Sequence, residues 1–409
     1  MKILCFTLLS FVVFSSTSAD GTVGIGLSTP EIITRRGYPV ESHTSITDDG
    51  YILTLHRIPY GFNGTNVTQP VETNATLRRP VVFLQHGLEG TSSEWVSNHP
   101  NLALAYILAD AGFDVWMGNS RGNVYSRNHT ILDTKSTEFW NFTWYDMSRH
   151  DLNASIDTVL AATGEQSLYY VGHSQGTTTM FTKLAEEPEF GSKVRKFFAL
   201  APVVTVGYIQ GTMAIIASSM FHKVKSWYCQ GSGQFPLMRY ISPDFSVSAC
   251  NIPIFGHLYC HGVLSAISGV TLFQIDATRI PELLADHPGG TSTKNIYHWM
   301  QMAHTGRYAA FDYGADANWV EYGQPIPPTF NLKAIKTDMH LFWSPSDFLA
   351  DSTDVTSCLL PYLNPDYLVQ NVQLANFGHL DFVYGDQAAA QIYHPIVNTI
   401  NRDWQTAST

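Results

Sequence analysis

Leu168-Tyr169-Tyr170-Val171-Gly172-His173-Ser174-Gln175-Gly176-Thr177 is the stretch that decides the fold. Leu168 to Val171 is a short apolar run fit for a buried strand. Thr177 to Glu186 reads as helix. Between them, Gly172-His173-Ser174-Gln175-Gly176 matches Gly-x-Ser-x-Gly, in which the chain turns sharply from strand to helix and lifts a serine hydroxyl to the sheet edge. The glycines are needed because that turn has no room for side chains. The bland alternative is an ordinary turn with a capping serine. A strand before and a helix after are the context that the nucleophile reading requires.

Working outward, strand, loop and helix repeat. His43 to Pro59 alternates around Asp48-Asp49-Gly50, a hairpin signal. Val81 to Gln85, Phe113 to Met117, Val194 to Leu200, Met339 to Trp343 and Tyr367 to Leu374 read as strands. Leu102 to Ala111, Trp144 to Ala162, Ser352 to Leu360 and Ala388 to Ile400 read as helices. Strands alternating with helices imply an α/β fold with a mostly parallel central sheet and helices on both faces. The rhythm breaks between about 203 and 314, where aromatics, Met and Cys collect. That segment is expected to be an inserted cap or lid over the strands' C-terminal edge, with 20–202 and 315–409 forming the core.

A serine hydroxyl needs a base, and the base needs an orienting carboxylate. On such a sheet the order is serine, acid, histidine. Asp347 follows the late strand Met339–Trp343 and is the acid candidate. Asp351, the runner-up, is better placed to cap the next helix, and Asp354 sits within it. His379 follows the last strand and is the base candidate, since His340 is inside a strand and His394 in the terminal helix. The tetrahedral intermediate needs two backbone N–H donors. Gln175, after the nucleophile, supplies one. Leu88, in His86-Gly87-Leu88-Glu89-Gly90, supplies the other. No Gly-x-Gly-x-x-Gly, Cys-x-x-Cys or His-Glu-x-x-His occurs, so neither a cofactor nor a metal is expected.

Charged residues are 14% of the chain, and mean hydropathy is near zero. A disordered chain, a coiled coil and a polytopic membrane protein are excluded. The formal charge of −11 offers nothing to nucleic acid. Protonating all 16 histidines would turn that charge into +5, which suits an acidic compartment. Residues 1–19 read as a secretory signal peptide: Met1-Lys2, an apolar run to Phe14, then small residues to Ala19. That run is too short to span a bilayer, so the mature chain is expected to carry no transmembrane segment. Sequons at Asn63, Asn66, Asn74, Asn128 and Asn141 then become glycosylation candidates, while Asn153 lies in a probable helix. Four cysteines remain beyond the signal segment. The nearest pair, Cys250 and Cys260, is the expected disulfide, and Cys358 is expected to be a buried thiol.

Together these stretches resemble the acid lipase family of gastric and lysosomal lipases, which are α/β-hydrolases. The resemblance is carried by Arg36-Gly37-Tyr38-Pro39, His86-Gly87-Leu88, Gly118-Asn119-Ser120-Arg121-Gly122-Asn123, Glu138-Phe139-Trp140 and Gly172–Thr177. It continues through Gly290-Thr291-Ser292, His298-Trp299, Ala310-Phe311-Asp312-Tyr313-Gly314 and Asn376-Phe377-Gly378-His379-Leu380-Asp381-Phe382. It implies a Ser174–Asp347–His379 triad, an oxyanion hole at Leu88 and Gln175, a Cys250–Cys260 bridge in the cap, and hydrolysis of glycerides or sterol esters at low pH. The partner expected is a lipid ester, met at a lipid–water interface, in the lysosome or an extracellular or gut lumen. A free cysteine of the family's cap is replaced here by Ser268, so thiol sensitivity is not expected. The acid loop, Ser344-Pro345-Ser346-Asp347-Phe348-Leu349-Ala350-Asp351, departs from the family pattern around its aspartate. A short-chain carboxylesterase on the same scaffold and a catalytically silent lipid binder are the alternatives.

Overall fold

The structure is a computed structural model, which describes residues 26–62, 78–236, 262, 265–269, 274–275, 279–283 and 287–407. The expected signal segment, Asn63, Asn66, Asn74, Cys250 and Cys260 lie outside the described residues.

Eight strands form one sheet: β1 (Glu41–Ile46), β2 (Ile52–Ile58), β3 (Val81–Gln85), β4 (Asp114–Met117), β5 (Leu168–His173), β6 (Val194–Leu200), β7 (Asp338–Trp343) and β8 (Leu368–Gln373). Their order is β1-β2-β4-β3-β5-β6-β7-β8. β1 and β2 form the antiparallel hairpin, β2 meets β4 antiparallel, and every later pair is parallel. The burial of each strand follows from its place. Central β3, β4 and β5 are buried at every position, as their continuous apolar runs require. At the edge, β8 alternates between half-buried and exposed, so its polar Gln370 and Gln373 are tolerated. Burying each of Val82, Phe83, Leu84 and Val171 fully contributes about 1.5–3 kcal/mol before entropy is counted.

The order 4-3-5 positions the site. From β3 the chain moves outward to β4, then crosses back to β5 on the other side. The direction of travel reverses there, so the loops after β3 and β5 diverge and leave a crevice at the strands' C-terminal ends. Those loops carry Leu88 and Ser174.

Three expected helices differ in detail, one of them Ala388–Ile400, which opens with a π-helical turn, Ala389–Tyr393, before the helix His394–Ala407. The stretch from Trp144 is a single turn, Trp144–Asp146, then a π-helical turn, Met147–Asp151, then the helix Leu152–Thr163 capped by Gly164. Ser352 to Leu360 is largely a π-helical turn, Asp354–Leu359. Wide turns insert a residue into the 3.6 period, so hydrophobic spacing alone does not reveal them. Between β6 and β7 the described chain forms the helices Gly211–Ser219, Phe221–Cys229, Thr293–Thr305 and Ala315–Tyr322. Val224, Phe235, Tyr297, Met300 and Phe311 make a second apolar cluster there, with Phe221, Trp227 and Tyr228 packed against it. Cys358 is half-buried rather than buried, and its thiol is free.

Candidate active site

Ser174 has φ 53° and ψ −119°, a backbone conformation that costs a non-glycine residue energy and persists only where the surroundings enforce it. The enforcement is visible. Ser174 N–H donates to Leu200 O at 3.1 Å. Ser174 O accepts the Thr177 hydroxyl at 2.6 Å, and the Tyr170 hydroxyl donates to Gly176 O at 2.8 Å. A Cβ on Gly172 would strike Gly176 O, and one on Gly176 would strike Gln85 O. The two glycines therefore let the strand, the turn and the neighbouring β3 loop approach each other. The helix that follows, Gln175–Glu186, points its positive N-terminal end at the serine.

His379 and Asp347 meet across the ends of β8 and β7. His379 Nδ1 lies 2.9 Å from Asp347 Oδ2 and 3.1 Å from Oδ1. Because the carboxylate accepts, the proton is on Nδ1 and Nε2 is free to take another. Asp347 is fully buried, and its own loop holds it: Oδ1 accepts Leu349 N–H at 2.8 Å and Ala350 N–H at 2.9 Å. Ser344 Oγ ties that loop to the histidine loop by accepting Ser346 N–H (3.1 Å) and Phe377 N–H (3.2 Å). His379 N–H donates to Ser268 O at 2.7 Å, a contact from the chain between β6 and β7. His173 Nε2, next to the serine, donates to His379 O at 2.9 Å. No hydrogen bond joins Ser174 Oγ to His379 Nε2 in the structure. Catalytic hydrogen bonds commonly tighten only when substrate is bound.

The other histidines and acids go elsewhere. His340 Nδ1 meets Gln370 within the sheet. Asp351 Oδ1 accepts Thr353 N–H at 2.7 Å, the capping contact expected of it. Asp354 accepts from Thr205, Gly207 and Tyr208, away from His379.

Gly87 brings the loop after β3 against the serine, where a Cβ would sit 3.1 Å from Ser174 Cβ. Leu88 follows it, half-buried. His86 fixes Gly87 O through Nδ1 at 2.8 Å and accepts Ser120 N–H on Nε2 at 3.0 Å, so its neutral tautomer is determined. Burial pulls the His86 pKa down to about 4. Among the described residues, the one group spaced to hold a metal is Asp48 and Asp49 on the β1–β2 turn with His150 from the π-helical turn Met147–Asp151. It is already committed, Asp48 to His150 at 2.6 Å and Asp49 to the buried Arg121.

Residues 29–99 match the profile of the partial alpha/beta-hydrolase lipase region, and residues 80–231 match that of the alpha/beta hydrolase fold. The chain is 44% identical to Lipase lipl-1 of Caenorhabditis elegans over 94% of both chains. It is 38% identical to the gastric triacylglycerol lipase of Bos taurus over 92% of both. This chain belongs to the acid lipase family. Within that family it is a carboxylic ester hydrolase on an α/β-hydrolase fold. An epoxide hydrolase from Vigna radiata shares the fold at a TM-score of 0.50 and 14% identity, over 90% of this chain and 98% of the other. A candidate lipase from Sulfolobus solfataricus shares it at 0.53 and 12%, over 86% and 90%.

Two features of this acid lipase site were not legible in the sequence. Gln175 Oε1 is bound by Asn295 and Trp299 from a distant helix, and Glu94 lies buried beside His173. Both are relations through space. The one local signal is the pair His298-Trp299, which carries part of the family resemblance. Of the described sequons, Asn128 and Asn141 are exposed, whereas Asn153 Nδ2 donates to Arg149 O inside the helical stretch.

Proposed function

We propose that this enzyme is a lipase that hydrolyses neutral-lipid esters, triacylglycerols or sterol esters, at acidic pH in the lysosome or an extracellular lumen. Ser174 Oγ attacks the ester carbonyl carbon, and His379 Nε2 takes its proton. Asp347 holds the imidazole in the required tautomer and offsets the charge it gains. The oxyanion rests on the N–H groups of Leu88 and Gln175. His379 returns the proton to the departing alcohol, leaving an acyl group on Ser174. Water, deprotonated by the same histidine, then releases the fatty acid. The observation that carries this reading is the buried Asp347–His379 hydrogen bond, on loops that flank a strained Ser174 turn.

The lipid assignment is supported by relatives named as lipases, one of them a triacylglycerol lipase, across almost the whole chain. Residues 203–314 would form the cap. Phe221, Trp227, Tyr228 and Phe235 pack within its own cluster, so an acyl pocket would draw on its other apolar residues, of which Leu237, Met238, Tyr240, Ile252, Ile254, Phe255 and Leu258 lie outside the described residues. Acid operation is supported by the gastric triacylglycerol lipase among the relatives and by the 16 histidines, whose protonation would turn the formal charge from −11 to +5. The pH optimum is expected between about 4.5 and 6.5. Among the described residues no helix is long and apolar enough to cross a membrane. Hydrolysis of short- and long-chain esters compared at pH 5 tests the reading. Preference for long chains supports it, and activity confined to short chains makes the protein a carboxylesterase.

A further inference from the structure

Glu94 lies in the short turn Ser92–Trp95, just beyond the loop that carries Leu88, and it is buried. Its two oxygens face different parts of the site. Oε2 accepts Gly87 N–H at 3.2 Å. Oε1 lies 2.7 Å from His173 Nδ1, at ion-pair distance but off the hydrogen-bond axis. The other nitrogen of His173 donates to His379 O. His173 thus stands between two acceptors, a carboxylate and a carbonyl.

We propose that Glu94 is a positioning residue for the ester hydrolysis: one carboxylate fixes the loop bearing the Leu88 N–H and, through His173, the main chain of His379. The proposal rests on the roles given above to Ser174, His379 and Leu88. It explains why a glutamate is buried here, since a charge withdrawn from water must be matched by donors and a counter-charge.

The groups around the pair are consistent with it. His173, His287 and His86 face the Glu94 carboxylate, with His287 Nε2 at 3.9 Å, and Tyr393 is also near. Burial alone would push the Glu94 carboxyl up, but these histidines hold it below the ordinary glutamate range. Burial would pull His173 down, but Glu94, the His379 carbonyl and Asp347 hold it above the ordinary histidine range. His86 and His287 are both pulled down by burial, so His173 supplies the positive charge.

Glu94→Ala and Glu94→Gln test the proposal with three readouts: kcat and KM on one ester, affinity for a boronic acid that mimics the tetrahedral intermediate, and the pH profile. Glu94→Ala removes both contacts. It is expected to lower kcat and boronate affinity about 10- to 100-fold, somewhat less than deleting an oxyanion donor outright, with KM within about threefold. In Glu94→Gln the amide can accept Gly87 N–H and donate to a neutral His173. That variant is expected to match wild type near pH 7 and to fall behind at lower pH, because protonating His173 then sets it against an N–H donor instead of a carboxylate. A purely structural role would move the melting temperature without this pH-dependent gap. The proposal is overturned if folded Glu94→Ala keeps wild-type kcat and boronate affinity. Should Glu94→Ala not fold, it is overturned if Glu94→Gln tracks wild type down to pH 4. A wild-type protein inert to esters and to a fluorophosphonate at Ser174 would overturn the hydrolase reading itself. An active wild type with an indifferent Glu94→Ala overturns only the role of Glu94.

Discussion

The Trp299 indole N–H donates to Gln175 Oε1 at 2.8 Å, joining the helix Thr293–Thr305 to the residue after Ser174. Asn295 Nδ2 donates to the same oxygen at 3.0 Å, and Asn295 Oδ1 accepts Trp144 N–H at 2.7 Å. The N–H group proposed to receive the oxyanion is therefore braced from outside its own helix. Asn295→Ala leaves the buried Trp144 N–H unpaired and weakens that brace. It is expected to cost about 1–3 kcal/mol of stability, read by urea denaturation, and to lower kcat more than it raises KM.

In the proposed mechanism Asp347 orients His379 and does not itself take the proton. Asp347→Asn would present an amide N–H to His379 Nδ1 and force the wrong tautomer. The expected loss in kcat is about 10⁴-fold with KM little changed, measured by steady-state kinetics on a soluble ester. A loss below tenfold would contradict the role given to Asp347.

Arg121 is buried between Asp151 (2.7 Å) and Asp49 (2.6 Å). Burial pushes the Asp151 carboxyl up even with the guanidinium beside it, so the arginine alone keeps that charge tolerable. Arg121→Met is expected to destabilise the fold by about 3–5 kcal/mol through the stranded aspartate. Asp151→Asn made in the same chain should recover part of that loss, as denaturant midpoints would show.

Stability and activity are expected to have different pH optima. Burial pulls His56, His86 and His298 down to about 4. Each is neutral in the fold and has an ordinary pKa near 6.5 when unfolded. Stabilisation from each is therefore complete above about pH 6.5 and is lost as the pH falls toward 4, by about 3 kcal/mol per group. The melting temperature should drop steadily across that range. A flat profile from pH 7 to pH 4 would contradict these assignments.

The strands were legible because buried parallel strands leave unbroken apolar runs. Val81–Gln85 and Val194–Leu200 have the limits expected from sequence. Asp347 and His379 were legible because each follows a strand on a known side of the sheet. The π-helical turns at Met147–Asp151 and Asp354–Leu359 were not, since widening depends on packing rather than residue type. Glu94 and Trp299 were opaque for another reason. Glu94 reads as one polar residue in a loop and Trp299 as one aromatic in a helix, and only the fold brings them to His173 and Gln175.

The most direct measurement is to quench the enzyme during turnover of a long-chain ester at pH 5 and locate the acyl group by peptide mass spectrometry. The account predicts an acyl group on Ser174 that is absent from Ser174→Ala, which should be inactive. Turnover by Ser174→Ala at the wild-type rate, or an acyl group on a different residue, would contradict it.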